Sequence, residues 1–317
     1  MTHEAEERAT QARCEAWIRA RVPRPEEGIF GARSVAWTLV REPAYLFGGA
    51  AAVLLQMAHP AVVAGVSAHS SYEKDLLGRI RRTSQALYSL VFGTLDDGLR
   101  TARRMHAIHA RVQGVVDEPG SPWAARAYRA NEQPLLRWVS MTASVMGRRS
   151  FEAFVRPLTP AEREGDWEDI RRGAVATGVD PEGLAPSREA FHADFEDLCE
   201  TSADLWVGPK ARAVARVLFA APLGVFDPVI TAALLPPRLR AMYELPWGAA
   251  EERRFALRRK AFGLIRAAAP EALRYVPAWH QAQRRLAARD GRPASLWGRA
   301  LDAASARVAV PASLRVR

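Results

Sequence analysis

The sequence predicts an all-α protein, a single large helical domain with globin-like or bundle-like packing. Three observations carry this. Period-2 alternation rich in Val, Ile and Thr is scarce along the 317 residues, whereas apolar residues recur at helical spacing between start and stop signals. No repeat of roughly 20–50 residues and no low-complexity linker divides the chain. Four of the seven histidines, His59, His69, His106 and His109, sit on apolar helical segments, which points to a buried cofactor within the bundle.

Composition bounds the rest. With 49% hydrophobic and 25% charged residues the chain is globular, and at this length it can bury about three quarters of its unfolded surface. The formal charge is +10 and only Lys74, Lys210 and Lys260 are lysines. The arginines are scattered, often paired on helix faces as in Arg103-Arg104 and Arg253-Arg254. No basic arm interleaved with aromatics is present, so nucleic acid is not expected as a partner. Cys14 and Cys199 cannot build a disulfide framework and lack metal-ligand spacing. The acidic, polar first residues do not read as a secretory signal, and a cytoplasmic location is expected.

Taken in order, residues 1–25 read as a peripheral N-terminal segment, 26–295 as the helical domain and 296–317 as a basic tail. The uncharged stretch Leu46–Gly65 is about the length of a spanning helix, but Gln56, His59 and Pro60 interrupt it. It is read as a buried core helix broken at Pro60, with no transmembrane segment expected. His59-Pro60 marks a helix N-terminus, since proline at the first helical position leaves no amide unsatisfied, and His69-Ser70 ends that short helix. Asp96-Asp97 place negative charge at the start of a helix that should run to about Gln113, with Gly114 as its stop. Thr159-Pro160-Ala161-Glu162 is a capping box and Ser187 a further N-cap. Turn chemistry marks Arg156-Pro157, Asp180–Gly183, Ala221-Pro222, Leu235–Pro237 and Asp290-Gly291.

On a wheel of 100° per residue, Leu99, Ala102, Met105, His106, Ile108, His109 and Val112 form one apolar arc of the helix over Asp97–Gln113. His109 falls near the middle of that arc and His106 at its edge. A buried imidazole needs partners. His109 is therefore either a core histidine hydrogen-bonded to a neighbouring helix or a ligand to a metal or haem iron, with His106 at the rim or behind it. Arg79, Arg82 and Thr83 share a helix face by their i, i+3, i+4 spacing. They form either a solvated arginine pair or a clamp for an anion such as a propionate. A di-iron bundle would need two Glu-x-x-His motifs plus two glutamates, and only Glu189–His192 qualifies.

The ordered set FGGAAAVLLQMAHPAVVAGVSAHS (47–70), RIRRT (79–83), VFGTLDDGL (91–99) and HAIHARVQG (106–114) resembles the catalytic domain shared by latex-clearing rubber oxygenases and the membrane oxygenase of mycophenolic acid biosynthesis. Tyr128 through Trp138, Phe151–Glu162 and Leu234–Arg240 extend the likeness over roughly residues 30–245. The resemblance implies a haem b protein acting as an oxygenase on a small apolar substrate with dioxygen or peroxide, with an unidentified reductant as a further partner. It implies His109 as the proximal iron ligand and matches the family's arginine and threonine to Arg79 and Thr83. This chain departs from the pattern in three places: Arg82 replaces a lysine, Ser140 a histidine and Phe154 a tyrosine. The rubber oxygenases' catalytic glutamate has no match. The competing reading is a non-catalytic haem- or lipid-binding helical protein.

Overall fold

In a computed structural model, residues 3–70, 74–221 and 226–291 are described. Fifteen α-helices, three short 3-10 turns and one two-stranded ribbon appear among them, so the chain is all-α. At the centre, α3 (Gly49–Met57) and the 3-10 segment Pro43–Gly48 lie against the long helix α7 (Gln133–Phe154). Small residues permit that approach. A Cβ on Gly48 would collide with the carbonyl of Met146, and one on Gly147 with the ring of Tyr45.

Polar groups in this seam are matched. Ser150 donates to the Ala44 carbonyl at 2.6 Å, Trp138 to that of Leu55 at 3.2 Å, and Tyr243 to that of Leu54 at 2.7 Å. Leu54 and Leu55 are fully buried, and their carbonyls also accept from the Ala58 amide at 3.0 and 3.2 Å, so each is shared between the helix end and a side-chain donor. Glu42, 1% exposed, receives two hydrogen bonds from Arg266, at 2.9 and 2.6 Å, tying the start of the seam to α13 (Ala249–Ala268).

The uncharged stretch is a bent pair inside this core. The segment through Met57 and α4 (Pro60–His69) meet at 105°, and among the described residues no single helix is long and apolar enough to cross a membrane. His59 caps α4, its Nδ1 accepting from the Ala61 amide at 3.3 Å, and Ser70 follows the last helical residue.

Helices α5 (Leu76–Phe92) and α6 (Leu95–His109) pack as a hairpin through Gly93. Ser89 and Thr101 share a 2.8 Å hydrogen bond across it. Thr94 and Asp97 close a capping box, so α6 begins one residue before the expected acidic pair. Its C-terminus differs more. The expected helix to Gln113 stops at His109 because Gln113–Val115 (β1) pairs antiparallel with Ala127–Arg129 (β2). Gly114 is not a helix stop but a strand residue opposite Tyr128, whose hydroxyl would lie 2.9 Å from an added Cβ. Ile108, expected inside, is 53% exposed.

The capping box at Thr159 starts α8 (Pro160–Ala176) and Ser187 starts α9 (Arg188–Thr201), both as expected. The N-terminal segment read as peripheral forms a helix. Helix α1 (His3–Arg19) packs on α8, and Cys14 and Ile18 are buried there, because its apolar residues recur four apart on one face. Helices α10 (Pro209–Phe219), α11 (Pro228–Leu234), α12 (Pro237–Met242), α14 (Glu271–Arg274) and α15 (Pro277–Arg289) complete the fold. The basic tail and Pro222 lie outside the described residues.

Candidate functional site

The end of α4, the start of α5 and the α6–β1 junction converge on one corner. His69 Nε2 meets the Gln113 carbonyl at 3.2 Å, and the Arg79 guanidinium donates to Ser70 Oγ. Helix α4 lies so close to this junction that a Cβ on Gly65 would sit 3.1 Å from Val112 and 3.3 Å from Tyr128. Helices α5 and α6 rise about 1.5 Å per residue, so eight residues back from Ser89 and eight forward from Thr101 bring Arg81 and His109 to about one level, with Arg79 within a turn.

His109 is half-buried on the inner side of α6, whose fully buried residues are Leu95, Gly98 and Leu99. Burial, and then the neighbouring His106, hold its imidazole below the ordinary histidine value, which favours the neutral ring. Neither ring nitrogen has a hydrogen-bond partner among the described residues. A neutral imidazole with an uncommitted nitrogen is the donor that a metal requires. The facing stretch of α5 is thinly covered: every buried residue of α5 lies in Leu90–Phe92, and Leu77 is 56% exposed.

The remaining expected residues are not gathered into one clamp. Arg79 is half-buried, while Arg82 and Thr83 are exposed. Arg82 pairs with Asp75 at 2.9 Å, both side chains about half exposed (53% and 49%). A turn of α5 is amphipathic, and the i+3 and i+4 positions fall on its wetter side here. His106, expected at the edge of the arc that centres on His109, lines a cavity of about 340 Å³ between α1, α6 and the start of α7. Its backbone carbonyl accepts from Asn131 at 3.3 Å.

His59 is 8% exposed and stands edge-on to Trp123 at 4.8 Å. Burial pushes its pKa down to about 4. It is scaffold, holding the bend at Pro60. Ser140 is buried and borders a cavity of about 140 Å³ that Asp166 and Asp169 also line. Phe154 packs edge-on against Phe47, Phe255 and Phe262, an apolar setting that leaves no partner for the hydroxyl that a tyrosine would bring.

One polar cluster has no counterpart in the sequence reading. His192 faces the Arg148 guanidinium at 3.0 Å, and Arg148 lies 3.7 Å from Asp166. Burial and the surrounding arginines push His192 down to about 4, while burial lifts Asp166 to about 6 and Asp169 to about 7. Its sequence signals were an arginine inside the apolar run of α7 and the histidine of the Glu189–His192 motif. With a guanidinium against its ring, His192 cannot serve a di-iron site, and no group of three His, Cys, Asp or Glu residues suited to a metal occurs among the described residues.

Residues 37–267 match the family model described as "ER-bound oxygenase mpaB/B'/Rubber oxygenase, catalytic domain". Two mycobacterial relatives, an uncharacterized protein of Mycobacterium tuberculosis and one of Mycobacterium bovis, are each 29% identical over 217 residues, covering 65% of this chain and 82% of theirs. No solved structure matches significantly.

Proposed function

Because the chain belongs to the family of mpaB-type and rubber-oxygenase catalytic domains, we propose that it is a haem b-dependent oxygenase acting on a small apolar substrate with dioxygen or peroxide, reduced from outside the chain. The observation that carries the proposal is the neutral, half-buried imidazole of His109 with both nitrogens uncommitted, facing the thinly packed half of α5. A core histidine would use at least one nitrogen on a neighbour.

His109 would hold the iron. Arg79 offers a guanidinium fork to a porphyrin carboxylate. Arg82 can join it by leaving Asp75, since an exposed pair contributes at most about 1 kcal/mol. Haem, when bound, supplies the iron centre on which dioxygen or peroxide chemistry depends. Thr83 would donate a proton from its Oγ1 or pass one on. Around Val62–Val66 the fully buried Val63 and half-buried Val62 and Val66 form an apolar wall that excludes water and receives the substrate. Arg82 keeps its charge under all ordinary conditions, so it cannot close the iron as a neutral ligand.

The test is the visible spectrum after haem reconstitution. A Soret band that shifts under carbon monoxide supports haem with an open position. Its absence sinks the reading, and a band insensitive to carbon monoxide after reduction identifies a closed, non-catalytic haem protein.

A further inference from the structure

Helix α13 touches the rest of the protein along one narrow side. Phe255 packs edge-on against Phe154 and Phe262 against Phe47, with ring centres 5.7 and 5.2 Å apart. Arg259 donates to the Ala153 carbonyl at 2.6 Å, and Arg258 and Arg266 reach inward to Asp227 and Glu42. None of the 20 residues of the helix is buried.

The opposite side carries apolar side chains. Leu257 is 67% exposed, Leu264 64% and Ile265 69%, and Leu273 on the following α14 is 74% exposed. These are the four most exposed large hydrophobic side chains among the described residues. At about 100° per residue, Leu257, Ala261, Leu264, Ile265 and Ala268 fall within one arc of about 100°. Single apolar residues on a surface are ordinary, but a continuous stripe marks an interaction site.

The charges around the stripe select its occupant. Every charged side chain on the outer half of α13 is basic, with Arg253 and Lys260 along one border and Arg254 along the other. Arg254 is paired with Glu251 at 3.2 Å, whereas Arg253 and Lys260 are exposed and have no ion-pair partner among the described residues. A second copy docking through the same face would set these cations against their own kind, at a cost in affinity. The stripe is convex and aliphatic, and α13 lines neither of the two cavities, while a protein partner gains most of its affinity from anchors seated in pockets. Fluid acyl chains need no such fit, and anionic headgroups match the basic border.

We propose that α13 docks the protein on an anionic lipid surface. The helix, about 30 Å long at about 1.5 Å per residue, lies in the plane of the headgroups. Leu257, Leu264 and Ile265 enter the acyl boundary, and Arg253 and Lys260 meet the lipid phosphates. The contact is peripheral, not a span, and uses none of the residues proposed to hold haem, so it stands without that reading.

Sedimentation of the full chain with two vesicle types tests it, one of phosphatidylcholine alone and one of equal parts phosphatidylcholine and phosphatidylglycerol. The anionic vesicles should bind at least about tenfold more tightly than the neutral ones, and less as salt is raised. Arg253→Gln/Lys260→Gln should weaken that binding about tenfold or more, because each basic residue near the surface contributes a factor of about five. Leu257→Gln/Leu264→Gln/Ile265→Gln alters exposed side chains only, keeps the net charge and the circular dichroism spectrum, and should also lose about tenfold or more. Full binding by this triple variant would assign the attraction to net charge alone and overturn the proposal. Equal binding to both vesicle types overturns it too. So does no binding to either, in which case a dimer seen by light scattering and lost in the triple variant identifies a second copy as the occupant.

Discussion

Replacing His109 by alanine separates its use as a ligand from any structural use. Its side chain is half-buried and makes no hydrogen bond among the described residues, so truncation removes a partial apolar contact and strands no polar partner. The expected cost is about 1 kcal/mol or less, a melting shift of about 2 °C for a chain of this size. The haem spectrum should change far more, with the Soret band lost or displaced and haem retained poorly on gel filtration. Adding imidazole to His109→Gly should restore the band. His106→Ala, whose ring lines the cavity between α1, α6 and the start of α7, should keep it. An unchanged Soret band in His109→Ala would refute the assignment. A melting drop of about 10 °C or more would refute the packing argument by showing that the ring is a core element after all.

Other expectations concern the scaffold. Arg266→Ala strands Glu42, 1% exposed, and should cost about 3–5 kcal/mol in chemical denaturation; a loss below about 1 kcal/mol would mean that water reaches the carboxylate. Gly48→Ala drives a methyl into the Met146 carbonyl and should destabilise by about 1–3 kcal/mol or more, read as a lower denaturation midpoint. His59 titrates at about 4 when folded and near 6.5 when unfolded, so the native state binds fewer protons across that window. Its contribution is present above about pH 6.5 and lost as pH falls to about 4, roughly 3 kcal/mol in all. His59→Asn keeps a capping acceptor and should flatten that acid slope. Asp166 and Asp169, lifted to about 6 and about 7, act oppositely and lose stability as pH rises above about 4, so the difference between wild type and His59→Asn isolates the histidine.

Much of the chain was legible because its causes are local. The cap at Thr159, the cap at Ser187 and the break at Pro60 each depend on residues within four positions, and all three stand in the structure. The place of His109 on the inner side of α6 follows from helical spacing, which any helix imposes. The end of α6 was not legible, because β1 competes for that backbone with a partner strand that begins at Ala127. The clamp expected from Arg79, Arg82 and Thr83 was drawn from spacing, which tells which residues neighbour one another but not which side faces water. The Arg148–His192–Asp166 cluster joins three helices and carries no local pattern.

By itself the sequence determined an all-α chain, the positions of its helix starts, the family to which it belongs and a histidine on an inward-facing helical stripe. Those properties rest on short-range sterics, capping hydrogen bonds and periodicity. Only the tertiary structure decided that His106, and not His109 one turn on, lines the cavity beside α1, that Arg82 is taken by Asp75, and that Leu257, Leu264 and Ile265 of α13 stay outside the core. These depend on which distant segments meet, and that is set by burial of the whole apolar surface, a sum that no window of residues contains.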